Sequence, residues 1–128
     1  MTDSPSFEEL SEFSREFKKL KNKYKTLDTD FERFKKVLKA KLPDLPPGTV
    51  VINNLGEEIS IPIYKVKKFR CVCLKGKGTR SGIRIIYTFV DDAYSFIFIE
   101  IYHKNKKETE NRARIYKYFK ISINGRST

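Results

Sequence analysis

Histidine occurs once in this chain of 128 residues, at His103, and cysteine twice, at Cys71 and Cys73. A Ser or Cys nucleophile with a His–acid relay has only that one histidine to draw on, and a lone histidine is more often structural than catalytic. A zinc-type metal site takes about four ligands. The two cysteines have no other cysteine to join them, so they read as core side chains, and neither metal nor cofactor is expected. No apolar run approaches the roughly 20 residues of a membrane span. The stretch Met1–Leu10 is acidic and polar without an apolar signal core, so a cytoplasmic, reducing setting and no membrane partner are expected. Acidic residues run short after Tyr64. The chain up to Tyr64 has eleven basic and eleven acidic residues, whereas Lys65 onward has sixteen basic and five acidic, which is the whole of the +11 net charge. Paired carboxylates for hydrolysis are therefore poorly supplied in that half.

What is present is bulk and cationic patterning. Ten Phe and seven Tyr supply one modest core, and the length suits one domain. Three runs rich in Ile, Val, Phe, Tyr and Cys lie between Tyr64 and Lys107, separated by a basic glycine-rich segment, K-G-K-G-T-R-S-G, and by Asp91-Asp92. Such runs predict strands near 66–74, 82–90 and 95–103. Alternation places Phe69, Cys71 and Cys73 on one face of the first, with Lys68 and Arg70 on the other. In the second, Ile83, Ile85, Tyr87 and Phe89 share a face, and Arg84 points the opposite way with Ile86 and Thr88. A hairpin centred on Gly78 would bring Lys68, Arg70 and Arg84 into one patch. The third strand is apolar on both faces and should be covered twice. The glycine-rich segment lacks the order of a P-loop and opens no helix.

Before this sheet, Ser6-Phe7-Glu8-Glu9 fits a capping box. Phe7, Leu10, Phe13, Phe17, Leu20 and Tyr24 follow at helical spacing. A second helix beginning at Asp28 or Thr29 turns Phe31, Phe34, Val37, Leu38 and Leu42 inward, which makes a helical hairpin. The stretch Leu42–Gly48, with three prolines, ends it. Thr49–Ile52 and Ile59–Tyr64 are short strand candidates, the second demoted by Pro62. Asn105 to Glu108 can cap a last helix carrying Asn111, Ile115 and Phe119, and Ile121–Thr128 reads as a tail. The expectation is an α+β fold: one domain, 1–128, with an N-terminal helical hairpin (about 6–42) packed on a small, mainly antiparallel sheet, and a C-terminal helix closing the second part (about 49–120).

Cations clustered beside tyrosine can hold RNA phosphates, bidentately where the cation is Arg. They can also cleave RNA by promoting attack of a ribose 2′-OH on the adjacent phosphate. That needs a proton acceptor, a stabiliser of phosphorane charge and a proton donor. A lysine among like charges is easier to deprotonate, and an arginine stabilises the developing negative charge.

In this order of elements, with Y-K-V-K-K-F-R-C, then Ser81-Gly82-Ile83-Arg84-Ile85-Ile86-Tyr87, then F-I-E-I-Y-H-K and N-R-A-R-I, the chain resembles the RelE/ParE toxin superfamily over roughly residues 13 to 119. The resemblance implies a toxin of a toxin–antitoxin pair with an antitoxin protein as partner. In the RelE-like branch it implies metal-free cleavage of mRNA on the ribosome. By position it makes Arg84, Lys67 and Lys65 the catalytic candidates, with Lys68 and Arg70 as rivals on the same segment. Lys75, Lys77 and Arg80 of the loop, and Lys104, Lys106 and Lys107 after the third strand, are the other RNA-binding candidates. Asn111 stands where that branch often has a tyrosine, a departure that bears on mechanism more than on fold. Two rival readings are a ParE-like inhibitor of DNA gyrase without catalysis, and a degenerate relative that binds only RNA or its antitoxin. The basic strand face favours the nuclease.

Overall fold

The computed structural model describes residues 4–121. Its elements are β1 (Ser6–Glu9), α1 (Ser11–Lys23), α2 (Leu27–Lys41), β2 (Thr49–Val51), β3 (Tyr64–Val66), β4 (Ile83–Val90), β5 (Ser95–His103) and α3 (Arg112–Phe119). The five strands form one sheet in the order β1-β5-β4-β3-β2. Only the β1–β5 pairing is parallel; the other three are antiparallel. This is the expected α+β architecture.

The sheet carries a core on each face. On one face α1 and α2 bury Phe13, Leu27, Phe31, Phe34 and Leu38 against Ile83, Ile85 and Tyr87 of β4 and Phe96, Phe98 and Ile101 of β5. On the other, Ile115 of α3 packs on Ile86, Ile99 and Tyr102, with Ile52, Leu55 and Ile63 from the connection around β2. The expected facing of β4 holds, with Ile83, Ile85 and Tyr87 toward the helical hairpin and Ile86 away from it. Strand β5 is indeed covered twice, and it changes sides along its length. A bulge opposite Ile86 and Tyr87 leaves Ile99 without a register partner. Before the bulge Phe98 faces the hairpin; after it Ile101 does, so that Glu100 and Tyr102 turn toward α3. One extra residue in a strand has this effect on every side chain that follows.

Four local expectations are corrected. The Ser6 capping box is not a helix start, because Ser6–Glu9 is a strand along the edge of β5. There the Ser6 amide donates to Tyr94 O at 3.0 Å, and Phe7 stacks on Phe96 at 5.3 Å. Pairing a free sheet edge and burying an aromatic ring outweigh a cap worth about 1 kcal/mol. Helix α1 therefore begins at Ser11, with Phe13 as its buried anchor. The strand expected at 66–74 is three residues long and ends at Val66. From Lys67 to Gly82 the chain is a long loop rather than a hairpin about Gly78, because the amides of Val72 and Cys73 bond to side chains of the α2 end instead of to β4. Of the candidate strand 59–64 only Tyr64 is in a strand; Ile59 makes a single bridge to Lys120. The last helix starts at Arg112, capped by Asn111 rather than by Asn105. The tail expected at 121–128 lies, beyond Ile121, outside the described residues.

Candidate functional site

On the α3 side of the sheet, register sets Lys65 opposite Ile86 and Arg84 opposite Tyr102. These side chains share that face. Arg84 is half-buried and donates from Nη1 to Lys67 O at 2.9 Å. It has no carboxylate partner among the described residues, and Glu100, the neighbouring-strand acid, is taken elsewhere. Glu100 is bound by Lys107 Nζ and accepts the Asn111 amide at 2.8 Å. Lys67 is exposed and lines a shallow cavity of about 370 Å³ with Lys65, Asn53, Asn54, Glu110 and Arg112.

Lys65 is not free. Its ammonium sits 2.6 Å from a carboxylate oxygen of Glu110, whose side chain is 2% exposed, and Arg112 Nε donates to the other oxygen at 3.0 Å. Burial works to raise the Glu110 carboxyl. The hydrogen bond and charge of Lys65, with the local backbone amide, prevail and hold it at about 2. The Tyr102 phenol is buried and its oxygen has no hydrogen-bond partner among the described residues. Burial, reinforced by Glu100 and Glu110 and opposed by Arg84, pushes it up to about 12. Lys107 lies 5.4 Å from the ring centre. Among the described residues the face thus offers a guanidinium with no carboxylate partner and an exposed lysine, with the Tyr102 phenol enclosed beneath them.

The remaining candidates separate into other places. Lys68 and Arg70 line a different cavity, about 250 Å³, against Asp30 and Arg33 of α2 and Pro46. They do not join Arg84 in one patch. Strand alternation carries on past Val66, so Lys65 and Lys67 turn one way while Lys68 turns the other. Lys75, Lys77 and Arg80 are exposed on the long loop, and Lys104 and Lys106 on the turn after β5. Lys107 is half-buried on Glu100.

The Ser81-Gly82 pair that precedes β4 does structural work. Ser81 Oγ donates to Phe69 O at 2.5 Å and accepts the Ile83 amide at 3.1 Å, pinning the loop end to the strand. Gly82 has φ +84°, and a Cβ there would lie 2.6 Å from His103 Nε2. His103 Nδ1 accepts the Asn105 amide at 3.1 Å, so its proton is on Nε2, donated to Ser81 O at 3.1 Å. Burial first, then Lys23, Lys104 and Arg84, lower its pKa and keep it neutral. The lone histidine is a structural latch.

Sequence reasoning missed Tyr102, Glu110 and the Glu100–Lys107 pair as parts of this face. Finding Tyr102 would have needed the β4–β5 register and the bulge, which no local pattern marks. Among the described residues no three His, Cys, Asp or Glu side chains cluster so as to hold a metal ion. No helix there is long and apolar enough to cross a membrane.

No protein-family model matches the sequence. Among solved structures, the chain is similar to a double mutant of the E. coli toxin RelE in the free state. The TM-score is 0.50 at 15% identity, covering 83% of this chain and 90% of that one. At that identity the likeness speaks for the fold, and the fold it shows is that of the RelE toxin.

Proposed function

We propose that this chain is the toxin of a toxin–antitoxin pair and acts in the cytoplasm as a metal-independent endoribonuclease on ribosome-bound mRNA, held in check by an antitoxin protein. The observation that supports this reading best is Arg84. It is a half-buried guanidinium on the α3 side of a RelE-like sheet, aimed by a bond to Lys67 O and neutralised by no carboxylate among the described residues. A fixed guanidinium with unused donors suits a phosphate, to which it can present a planar fork. In the reaction Arg84 stabilises the phosphorane as charge develops. Lys67 is the lysine at liberty to approach the ribose and phosphate, since Lys65 is held by Glu110. The Tyr102 hydroxyl is enclosed in the core and out of reach of the leaving oxygen, which takes its proton from solvent. The exposed cations Lys75, Lys77, Arg80, Lys104 and Lys106 extend the surface along which a phosphate backbone would lie.

A binding-only reading is favoured by one observation. Asn111 is engaged as the cap of α3, accepting the Arg114 amide at 3.0 Å, and offers no phenol where the resemblance leads one to expect it. Primer extension on a translated mRNA, after the chain is induced in a bacterial host, separates the two. New 5′ ends within codons support the nuclease. Intact message, whether or not growth stops, overturns it.

A further inference from the structure

The loop from Lys67 to Gly82 carries both cysteines, and the fold draws them together. A turn closed by the Leu74 amide on Cys71 O, at 3.0 Å, replaces the extended strand in which alternate residues stand nearly 7 Å apart along the chain. The two sulfurs are 3.5 Å apart. Cys71 is buried and Cys73 half-buried, so one thiol is reachable from solvent and the other is sheltered behind it. The backbone of Val72 and Cys73 anchors the loop to the start of α2. The Val72 amide donates to both Asp30 carboxylate oxygens at 3.1 and 3.2 Å, and the Cys73 amide donates to Thr26 Oγ1 at 2.9 Å. Thr26 Oγ1 in turn donates to Asp30 at 2.7 Å and lies 3.9 Å from the Cys71 sulfur.

We infer that Cys71 and Cys73 form a redox-active dithiol that exchanges with low-molecular-weight disulfides, and that its closure loosens the basic loop from α2. Cys73, the accessible thiol, attacks one sulfur of a disulfide RSSR as its thiolate and expels RS⁻, which takes up a proton from solvent. Cys71 then loses its proton to solvent and attacks the Cys73 sulfur, expelling the second RS⁻, which is protonated in turn. The protein dithiol is oxidised to a disulfide, RSSR is reduced to two RSH, and protons balance. The order suits the two environments. Burial works to raise the Cys73 thiol, but hydrogen bonds from the Cys73 amide's partner Thr26, from Cys71 and from the Lys25 backbone bring it below its ordinary value. Burial above all pushes Cys71 up to about 12, so it acts only once its neighbour has become a disulfide.

Closure must bring the sulfurs from 3.5 Å to about 2.05 Å. Because only one residue separates the cysteines, this closure reshapes the backbone at Val72 and displaces the two amides held by Asp30 and Thr26. Lys68, Arg70, Lys75, Lys77 and Arg80 ride on that loop. Any effect on RNA rests on the proposed function, whereas the thiol chemistry does not.

The test equilibrates the full chain in graded ratios of reduced to oxidised glutathione, then blocks free thiols with a maleimide and weighs the intact protein. The expected product is a species two hydrogens lighter, with both thiols protected and no lasting glutathione adduct. Cys71→Ser should instead retain one glutathione, on Cys73, and Cys73→Ser should react at least tenfold more slowly. A persistent adduct on the unaltered chain, two free thiols at every ratio, or equal reactivity of the two variants overturns the inference. A second readout on the unaltered chain avoids any folding defect in the variants. Amide exchange at Val72 and Cys73 should quicken tenfold or more on oxidation, and unchanged protection would overturn the loosening.

Discussion

Arg84→Ala separates a phosphate-facing guanidinium from a structural one. In the folded chain Arg84 donates one hydrogen bond, to the Lys67 carbonyl at 2.9 Å, and pairs with no carboxylate among the described residues. Deleting it frees that carbonyl for water at a half-exposed position, a loss on the order of 0.5–1.5 kcal/mol. Relief of repulsion among the neighbouring cations offsets part of this. For a chain of this length 1 kcal/mol moves the melting temperature by about 4 °C, so a shift of no more than about 6 °C is expected. Had Arg84 been the partner of buried Glu100, removing it would have cost about 3–5 kcal/mol and well over 10 °C. Lys107 and the Asn111 amide hold Glu100 instead. Cleavage should fall far more, by about 10²–10³-fold, the usual loss when one donor to a developing anion is removed. Arg84→Lys should restore only part, because a point charge does not reproduce the fork. Melting and primer extension are to be measured on the same preparation. A drop above 10 °C with cleavage per folded molecule intact would refute the assignment, and so would unchanged cleavage in a stable variant.

Glu110, held at about 2 against an ordinary 4.5, contributes stability that is present above about pH 4.5 and lost as pH falls toward 2. Denaturant titration should show that loss, on the order of 3 kcal/mol at full shift, and Glu110→Gln should flatten the curve across that window. Gly82→Ala places a methyl 2.6 Å from His103 Nε2 at φ +84°. It should lower stability by more than about 2 kcal/mol in thermal melts, and a neutral result would refute the latch. Binding of a short single-stranded RNA should weaken by at least tenfold between 50 and 200 mM salt, through counterion release from the loop cations. Affinity that barely moves with salt counts against an electrostatic RNA surface.

The sequence by itself determined what depends on local periodicity. The apolar stripe Phe13-Phe17-Leu20, the buried row Phe31-Phe34-Leu38, the alternation of Ile83, Ile85 and Tyr87 and the double burial of β5 are all set by spacing along the chain. The class of fold followed from them, as did the side of β4 on which Arg84 emerges. Tertiary structure alone decided what depends on partners distant in the chain. Residues Ser6–Glu9 carry a sound helix-start signal, yet the vacant edge of β5 draws them into the sheet. The segment 67–74 has strand composition, yet Asp30 and Thr26 take its amides, and the patch expected of Lys68, Arg70 and Arg84 comes apart. Above all, the bulge at Ile99 turns Glu100 and Tyr102 to the face of Arg84. Its cause lies in how β5 packs between two cores and pairs with β4, and a period read along one strand carries no record of its neighbour's register.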